Sequence, residues 1–378
     1  MTDIYEQSLG LHRERRGKLE VRSKVDLKTR LDLSLAYTPG VAAVSTAIGK
    51  DRDLAYEYTL KGNSVAVVSD GSAILGLGNL GPEAAIPVME GKAILFREFA
   101  GIDAFPICLD TQETEEIIHT VKLLAPVFGG INLEDISAPR CFEIEERLVR
   151  ELDIPVMHDD QRGTATVVLA GLTNALKVKG RTPDGVRVVV NGAGAAGTAI
   201  VRMLSECGFG DIVVCDRQGI ISRERVDLNP YKRMLSDATN PRGLSGDLAR
   251  ALVGADIFIG VSAGGVLKPD MVRAMAPEPV IFAMANPTPE IMPEEAKAAG
   301  ALIVATGRSD FPNQVNNVLA FPGIFRGALD NGVRRIGNAM LVRAAQNLAF
   351  CVPEPGPERI LPDPLDREVA GWVASAIR

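Results

Sequence analysis

The chain has 378 residues, 46% of them hydrophobic, and a formal net charge of −7, which is enough for two cores of ordinary size and too acidic for a nucleic-acid partner. No apolar run approaches the ~18 residues of a bilayer span, and Asp3, Glu6, Glu14 and Glu20 leave no apolar stretch for a signal peptide. The expectation is a soluble cytoplasmic protein with no membrane contact, its five cysteines (Cys108, Cys141, Cys207, Cys215 and Cys351) being scattered thiols in a reducing compartment.

The first distinctive stretch, HRERRGKLEVRSK from His12 to Lys24, mixes basic residues with Glu14 and Glu20 and reads as a solvated helix or arm. From about Ser64 to Asp160, short apolar runs (VAVVS, AFPICLD, GGINL, IPVMH) alternate with helical stretches such as QETEEIIHTVKLLA, the pattern of an α/β domain. Within it, GGINL and IPVM flank a helix whose apolar residues are Phe142, Ile144, Leu148 and Leu152, so the unit reads as strand, helix, strand with the strands parallel. Two acidic pairs, Glu134-Asp135 and Asp159-Asp160, each follow one of those strands. Parallel strands end on one edge, where open α/β sheets place their ligands, so the pairs should converge. Carboxylates gathered in one crevice repel and raise one another's pKa values, and a hard divalent cation with oxygen ligands, Mg²⁺ or Mn²⁺, removes that conflict.

A longer helical pattern, ATVVLAGLTNALKVKG, leads into a second α/β unit, which sets the expected domains at 1–161 and 162–378. That unit opens with VRVVVNGAGAAGTAIVRMLSECGFGDIVVCD, in which Gly192, Gly194 and Gly197 have the G-x-G-x-x-G spacing of a dinucleotide turn, with Ala193, Ala195 and Ala196 between them. Asp216, 19 residues beyond Gly197, stands where an acid would bond the adenosine ribose 2′-hydroxyl. This favours NAD, while Arg217 beside it leaves NADP possible. Further strand candidates (ADIFIGVS, PVIFAMAN, ALIVATG) predict a doubly wound Rossmann-type sheet, followed by C-terminal helices including NAMLVRAAQNLAF.

A divalent cation beside a nicotinamide suits a hydroxy acid substrate, whose chelated oxygens the metal polarises during oxidation and, where a carboxylate lies β to the new ketone, during loss of CO₂. Such chemistry also needs a base for the hydroxyl proton and an acid for the enol carbon. SLAYTPGVAAV, VAVVSDGSAILGLGNLGPEAAIPVMEGKAILF, INLEDI, MHDDQRGTA, ANPTPE and QVNNVLAFPGIF together resemble the malic enzymes, and the short bacterial form most. The resemblance implies oxidative decarboxylation of L-malate to pyruvate and CO₂ with reduction of NAD(P), in a homodimer to which the N-terminal arm contributes. It also assigns roles: Tyr37 as proton donor to the enol, Lys92 as base, Glu134, Asp135 and Asp160 as metal ligands, and Asp159 as the acid beside the lysine. Asn286 would lie where nicotinamide and substrate meet, and Asn317, or its neighbour Asn316, would contact the malate carboxylate. One residue departs from the larger enzymes of the family, which carry an arginine for the substrate carboxylate where this chain has Ala73. Three alternatives stand beside this reading. A malolactic-type enzyme would use the same site and release lactate, and an amino-acid dehydrogenase-like enzyme would have no use for the acid cluster. A catalytically silent nucleotide-binding regulator is opposed by the intact set of candidate residues.

Overall fold

The computed structural model describes residues 3–75 and 77–378. In the first sheet, β1 (Ser64–Ser69), β2 (Asp103–Cys108), β3 (Gly130–Leu133) and β4 (Val156–His158) lie in the order β2-β1-β3-β4. All its pairings are parallel. Every residue of β1 and β3 is buried, as continuous apolar runs with helices on both faces require. The expected strand, helix, strand unit is present. Its helix, Arg140–Glu151, buries Phe142, Ile144 and Leu148, each burial contributing about 1.5–3 kcal/mol. Truncating Leu148 to Ala would cost about 2–5 kcal/mol. The register Leu133↔His158 brings the residues that follow, Glu134 and Asp159, side by side.

The second sheet contains β5 (Arg187–Asn191), β6 (Asp211–Asp216), β7 (Gly219–Ile220), β8 (Ile257–Gly260), β9 (Val280–Ala283) and β10 (Ile303–Thr306), in the order β10-β9-β8-β5-β6-β7. It is parallel except for β7, which pairs antiparallel with β6 through Asp216↔Gly219. Two residues are too few to show an alternating pattern, so β7 has no sequence signal. Strand order reverses between β5 and β8, which makes the carboxyl end of β5 the binding crevice of a doubly wound sheet.

The helix Thr164–Lys179 joins the two sheets and is buried continuously from Ala165 to Leu172. Its buried Asn174 is satisfied by the carbonyls of Ala349 and Ile360, at 2.9 and 3.0 Å. After β10 the chain returns to the first sheet. The helix Phe321–Asp330 sets Phe321 and Phe325 edge-on against Phe96, with ring centroids 4.8 and 5.5 Å apart, so one apolar cluster runs through both sheets' flanks.

Residues before β1 behave differently. The helices Ile4–Arg15, Arg30–Ala36, Val41–Lys50 and Leu54–Tyr58 bury no residue. Arg30–Lys50 is apolar enough for a membrane span, with mean hydropathy 1.2, but it is broken at Tyr37–Gly40 into helices of 7 and 10 residues. At ~1.5 Å per residue, neither approaches the ~30 Å of a bilayer core. The excursion from Lys24 to Asp53, which holds the helices Arg30–Ala36 and Val41–Lys50, is tied down at both ends on the amino edge of the first sheet. Lys24 pairs with Asp103, the first residue of β2, at 3.1 Å. Arg334 bridges Asp53, at 3.8 Å, to Asp153, which precedes β4.

Candidate active site

The acid pairs do converge at the carboxyl edge of the first sheet. Glu134 and Asp135 follow β3, both buried, and Asp135 takes a left-handed backbone conformation at φ 54°, which Asp tolerates better than most residues. This turn aims the Asp135 N–H at Asp160 Oδ2, 2.8 Å away. Asp159 and Asp160 open a π-helical turn, Asp159–Gly163, whose closing hydrogen bond runs from the Thr164 N–H to the Asp159 carbonyl. A Cβ on Gly163 would sit 1.8 Å from Asp159 Oδ1, so only glycine lets that carboxylate fold against the turn.

One oxygen each of Glu134, Asp135 and Asp160 lies within 4.8 Å of the others. Asp135 Oδ2 is buried with no hydrogen-bond partner among the described residues. Burial, and then the neighbouring Asp160, push the Asp135 carboxyl up to about 8. Burial likewise raises Glu134 well above the carboxylate range, the Lys92 charge only partly offsetting it. Three hard oxygen donors, one of them orphaned, fit a divalent cation of the Mg²⁺ or Mn²⁺ class. His158, immediately before Asp159, is wholly buried, with neither ring nitrogen hydrogen-bonded among the described residues and Nδ1 3.7 Å from Asp160 Oδ2.

Lys92 reaches this edge from the helix Pro82–Ala100, which starts with a proline after Gly81. Its Nζ is 2.6 Å from Asp159 Oδ2 and 2.9 Å from Glu134 Oε1, and stands 4.2 Å above the Phe321 ring. Burial lowers the lysine's affinity for its proton, but the charges of Asp159, Glu134 and Asp160 outweigh burial and hold the ammonium form. Asn317 Nδ2 donates to Asp159 Oδ2 at 3.1 Å, and Thr164 Oγ1 holds the Asn317 carbonyl at 3.1 Å. Asn316 instead caps its own turn through the Val318 N–H, so Asn317 is the member of the pair that faces the acids. Tyr37 is not brought to this edge in its own chain. It is 67% exposed on the arm, and its hydroxyl has no partner among the described residues.

At the nucleotide crevice, β5 runs into Gly192, and Gly194 precedes the helix Ala195–Glu206 without a side-chain cap. The first N–H groups of that helix therefore remain available to a phosphate. A Cβ on Gly197 would lie 1.8 Å from the Gly192 carbonyl, which is the close packing the third glycine permits. Ala193, Ala195 and Ala196 are half-buried around the turn. Asn286 is exposed just beyond β9. Its loop is fastened by the buried Glu290, which accepts from the Ser262 N–H and the Ala285 N–H, both at 3.0 Å. These groups fit a dinucleotide. Asp216 ends β6 as expected, but its carboxylate is already engaged by Arg225, at 2.7 Å, and Lys232, at 2.6 Å.

Sequence reasoning missed several of these groups. Phe321, Thr164 and Glu290 lie inside the motifs QVNNVLAFPGIF, MHDDQRGTA and ANPTPE, so the signal was present without a role attached. Asn132, which donates to Glu134 Oε2 at 2.9 Å from the middle of β3, likewise lies inside INLEDI without a role attached. Arg225 and Lys232 carry no motif.

Two family models match the chain: malic enzyme, N-terminal domain, over residues 16–149, and malic enzyme, NAD binding domain, over residues 161–377. The chain is 56% identical over 377 residues to the bifunctional malic/malolactic enzyme of Bacillus subtilis (strain 168), covering 99% of this chain and 92% of that protein. It is 59% identical over 338 residues to the NAD-dependent malic enzyme of Geobacillus stearothermophilus, covering 89% of this chain and 70% of that protein. The crystal structure of the NAD-dependent malic enzyme of Thermotoga maritima superposes with a TM-score of 0.95 at 54% identity, covering 98% of each chain. Other relatives carry names that specify NADP or NAD. With both family models matched in order and relatives above half identity along nearly the whole chain, the protein belongs to the malic enzyme family.

Proposed function

We propose that this chain catalyses the metal-dependent oxidative decarboxylation of L-malate to pyruvate and CO₂ with reduction of NAD(P), as a homodimer. The observation that carries the reading is Lys92, buried between Asp159 and Glu134 at the rim of a three-oxygen cation site. A divalent cation held by Glu134, Asp135 and Asp160 would supply Lewis acidity toward the substrate's hydroxyl and ketone oxygens, and NAD(P)⁺ in the Gly192 crevice would supply the hydride acceptor.

The protein's own groups do the rest. Lys92 takes the C2-hydroxyl proton. The surrounding carboxylates keep that lysine charged; a cation held by them would offset the same field and so favour the amine as base. Asp159 receives or shares the Lys92 proton across 2.6 Å, and Asn317 fixes the carboxylate's orientation. Tyr37 protonates the enol carbon from the other copy. What supports this is its placement on a stretch, from Lys24 to Asp53, that is tied at both ends to the edge of the first sheet opposite the acids and whose helices bury nothing in their own chain. Leu31, Leu33 and Leu35, each more than half exposed, give that excursion an apolar surface for a second copy to cover.

The test is a turnover assay with L-malate, Mn²⁺ and NAD or NADP, with EDTA as control, following reduced nicotinamide and pyruvate. Reduced cofactor and pyruvate in equal amounts, only with metal, support the reading. Malate loss with lactate and no net reduced cofactor would replace it with the malolactic reading, with which the name of the Bacillus subtilis relative, a bifunctional malic/malolactic enzyme, is compatible.

A further inference from the structure

We infer that one cavity, set at the far ends of the two helices that open on the acid cluster and on the glycine turn, is an effector site for a small amphiphilic carboxylate. The inference rests on the dinucleotide crevice described above and is independent of the malate chemistry.

The cavity has a volume of about 320 Å³ and lies between the helices Thr164–Lys179 and Asn338–Phe350 and the turn 207–209. That is within the range of small-molecule sites, roughly 300–1,000 Å³, and gives room for on the order of ten water volumes. Its floor is apolar: Leu169, Leu176 and Phe209 are buried, and Val342 and Cys207 are half-buried. Leu169, Thr173, Leu176 and Gly180 recur at the spacing of one helix face, so a single stripe of the first helix forms one wall.

Its place in the fold is what makes it an effector site. The helix Thr164–Lys179 starts directly after the turn that carries Asp159 and Asp160, and the helix Ala195–Glu206 starts directly after Gly194. Both end here: Lys177 and Gly180 line the cavity from the first, and Cys207, which closes the second, lines it from the other side. At ~1.5 Å per residue the two rods run back about 24 and 18 Å to the acids and to the phosphate turn. Each is packed along its length, through the run from Ala165 to Leu172 on one and Ile200, Val201 and Leu204 on the other. Close-packed elements shift as units, so a ligand that moves their far ends biases both halves of the site at once.

The rim decides the ligand class. Among the described residues the lining holds two cations, Lys177 and Arg181, and no acid. The two helix C-termini bring roughly half a negative charge each, which offsets about one of those cations and leaves the other. The first of these ends is closed, because the N–H groups of Gly180 and Arg181 donate to the carbonyls of Lys177 and Leu176 at 3.2 and 3.0 Å, so these oxygens are not bare to an anion. Lys177 Nζ has the Asn174 side-chain carbonyl as its one partner among the described residues, at 3.1 Å. Arg181 gives Nη2 to the Gly185 carbonyl and stands 4.0 Å from Asp256, while its Nε and Nη1 have no partner among the described residues. The acids that adjoin the lining are engaged: Asp184 by the Thr182 hydroxyl, Glu206 by Asn338 at 2.7 Å, and Asp256 by the Arg187 N–H at 2.9 Å. Spare cationic donors above an apolar floor suit a carboxylate on a short hydrocarbon body, whereas an alcohol of the same length uses the floor alone.

The experiment titrates hexanoate and hexan-1-ol into the full-length protein by ligand-observed NMR, and NADH and NADPH by nicotinamide fluorescence, each with and without the other. Hexanoate should bind on the order of millimolar, at least about tenfold more tightly than the alcohol, as one or two charge-assisted hydrogen bonds provide. Saturating hexanoate should change dinucleotide affinity at least about fivefold, and the dinucleotide should change hexanoate affinity by the same factor. Lys177→Gln combined with Arg181→Gln should bring hexanoate within about twofold of the alcohol and leave dinucleotide affinity alone unmoved. Gln346→Trp, at an exposed position of the rim, should weaken both small ligands. Equal binding of hexanoate and hexan-1-ol would overturn the ligand class, and unchanged hexanoate binding in the double variant would overturn the location. Binding without reciprocal coupling would leave a passive cavity and overturn the effector role. Failure of both dinucleotides to bind in the absence of hexanoate would overturn the crevice reading and this inference with it.

Discussion

Lys92 Nζ lies 2.6 Å from Asp159 Oδ2, and the same carboxylate oxygen accepts from Asn317 at 3.1 Å. The base candidate on a first-sheet helix and an amide beyond β10 therefore share one buried oxygen, and this point ties the two sheets together at the site.

Replacing Lys92 with Ala removes the proposed base and leaves Asp159 and Glu134 facing each other without their cation. Malate turnover should fall by several orders of magnitude, while cofactor binding, measured by quenching of reduced-nicotinamide fluorescence, persists. Residual turnover near the unaltered rate would end the base assignment.

Asp135→Ala removes one of the three converging oxygens and the orphaned Oδ2 with it. The Mn²⁺ concentration for half-maximal activity should rise by more than the roughly tenfold typical of outer-sphere changes at metal sites. An unchanged metal requirement would place the cation elsewhere.

The raised carboxyls make a prediction about pH. Burial and Asp160 lift Asp135 to about 8, and burial lifts Glu134. Acids raised in the fold bind protons more tightly there than in the unfolded chain, where they titrate near 4. Their contribution is therefore complete below that value and is lost as pH rises through about 8. The chelated protein should melt at a lower temperature at pH 8 than at pH 6. Mn²⁺, which takes the ionised form, should raise the melting temperature more at pH 8 than at pH 6. An equal gain at both values would contradict the assignment of these acids as ligands.

If Tyr37 works in the other copy's site, two dead variants should rescue one another. Tyr37→Phe and Lys92→Ala homodimers should each be inactive, whereas refolding them together should recover about a quarter of the unaltered rate, from one complete site in each mixed dimer under random pairing. No recovery, with mixed dimers demonstrated by mass spectrometry, would put Tyr37 back in its own chain's site.

The convergence of the acids was readable because it depends on repeating local signals: apolar runs of strand length, a helix between them, and acids at the same end of each. Parallel pairing of β3 and β4 then follows from chain length alone. The glycine turn was readable for the same reason. Lys92 was not, because nothing local distinguishes a buried lysine on an amphipathic helix from an exposed one; the resemblance supplied it. Phe321, more than 200 residues away from Lys92 in sequence, meets it only through tertiary packing. Asp216 was located correctly, but its bonding was invisible. Arg225 and Lys232 come from an irregular segment and a new helix, and no pattern of sequence spacing indicates that they fold back onto the carboxylate. The exposure of Leu31, Leu33 and Leu35 was hidden, because a leucine looks the same in sequence whether the surface that covers it belongs to the same chain or to another.

The π turn at Asp159–Gly163 holds one residue more than an α turn would. Deleting Asp159 or Asp160 should let the following helix close as an ordinary α-helix and would remove one acid from the edge. The proposed activity is thus separated from its loss by a one-codon deletion that the fold is expected to absorb. A chain shortened in this way would remain a stable member of the same architecture, able to bind nucleotide and unable to act on its substrate.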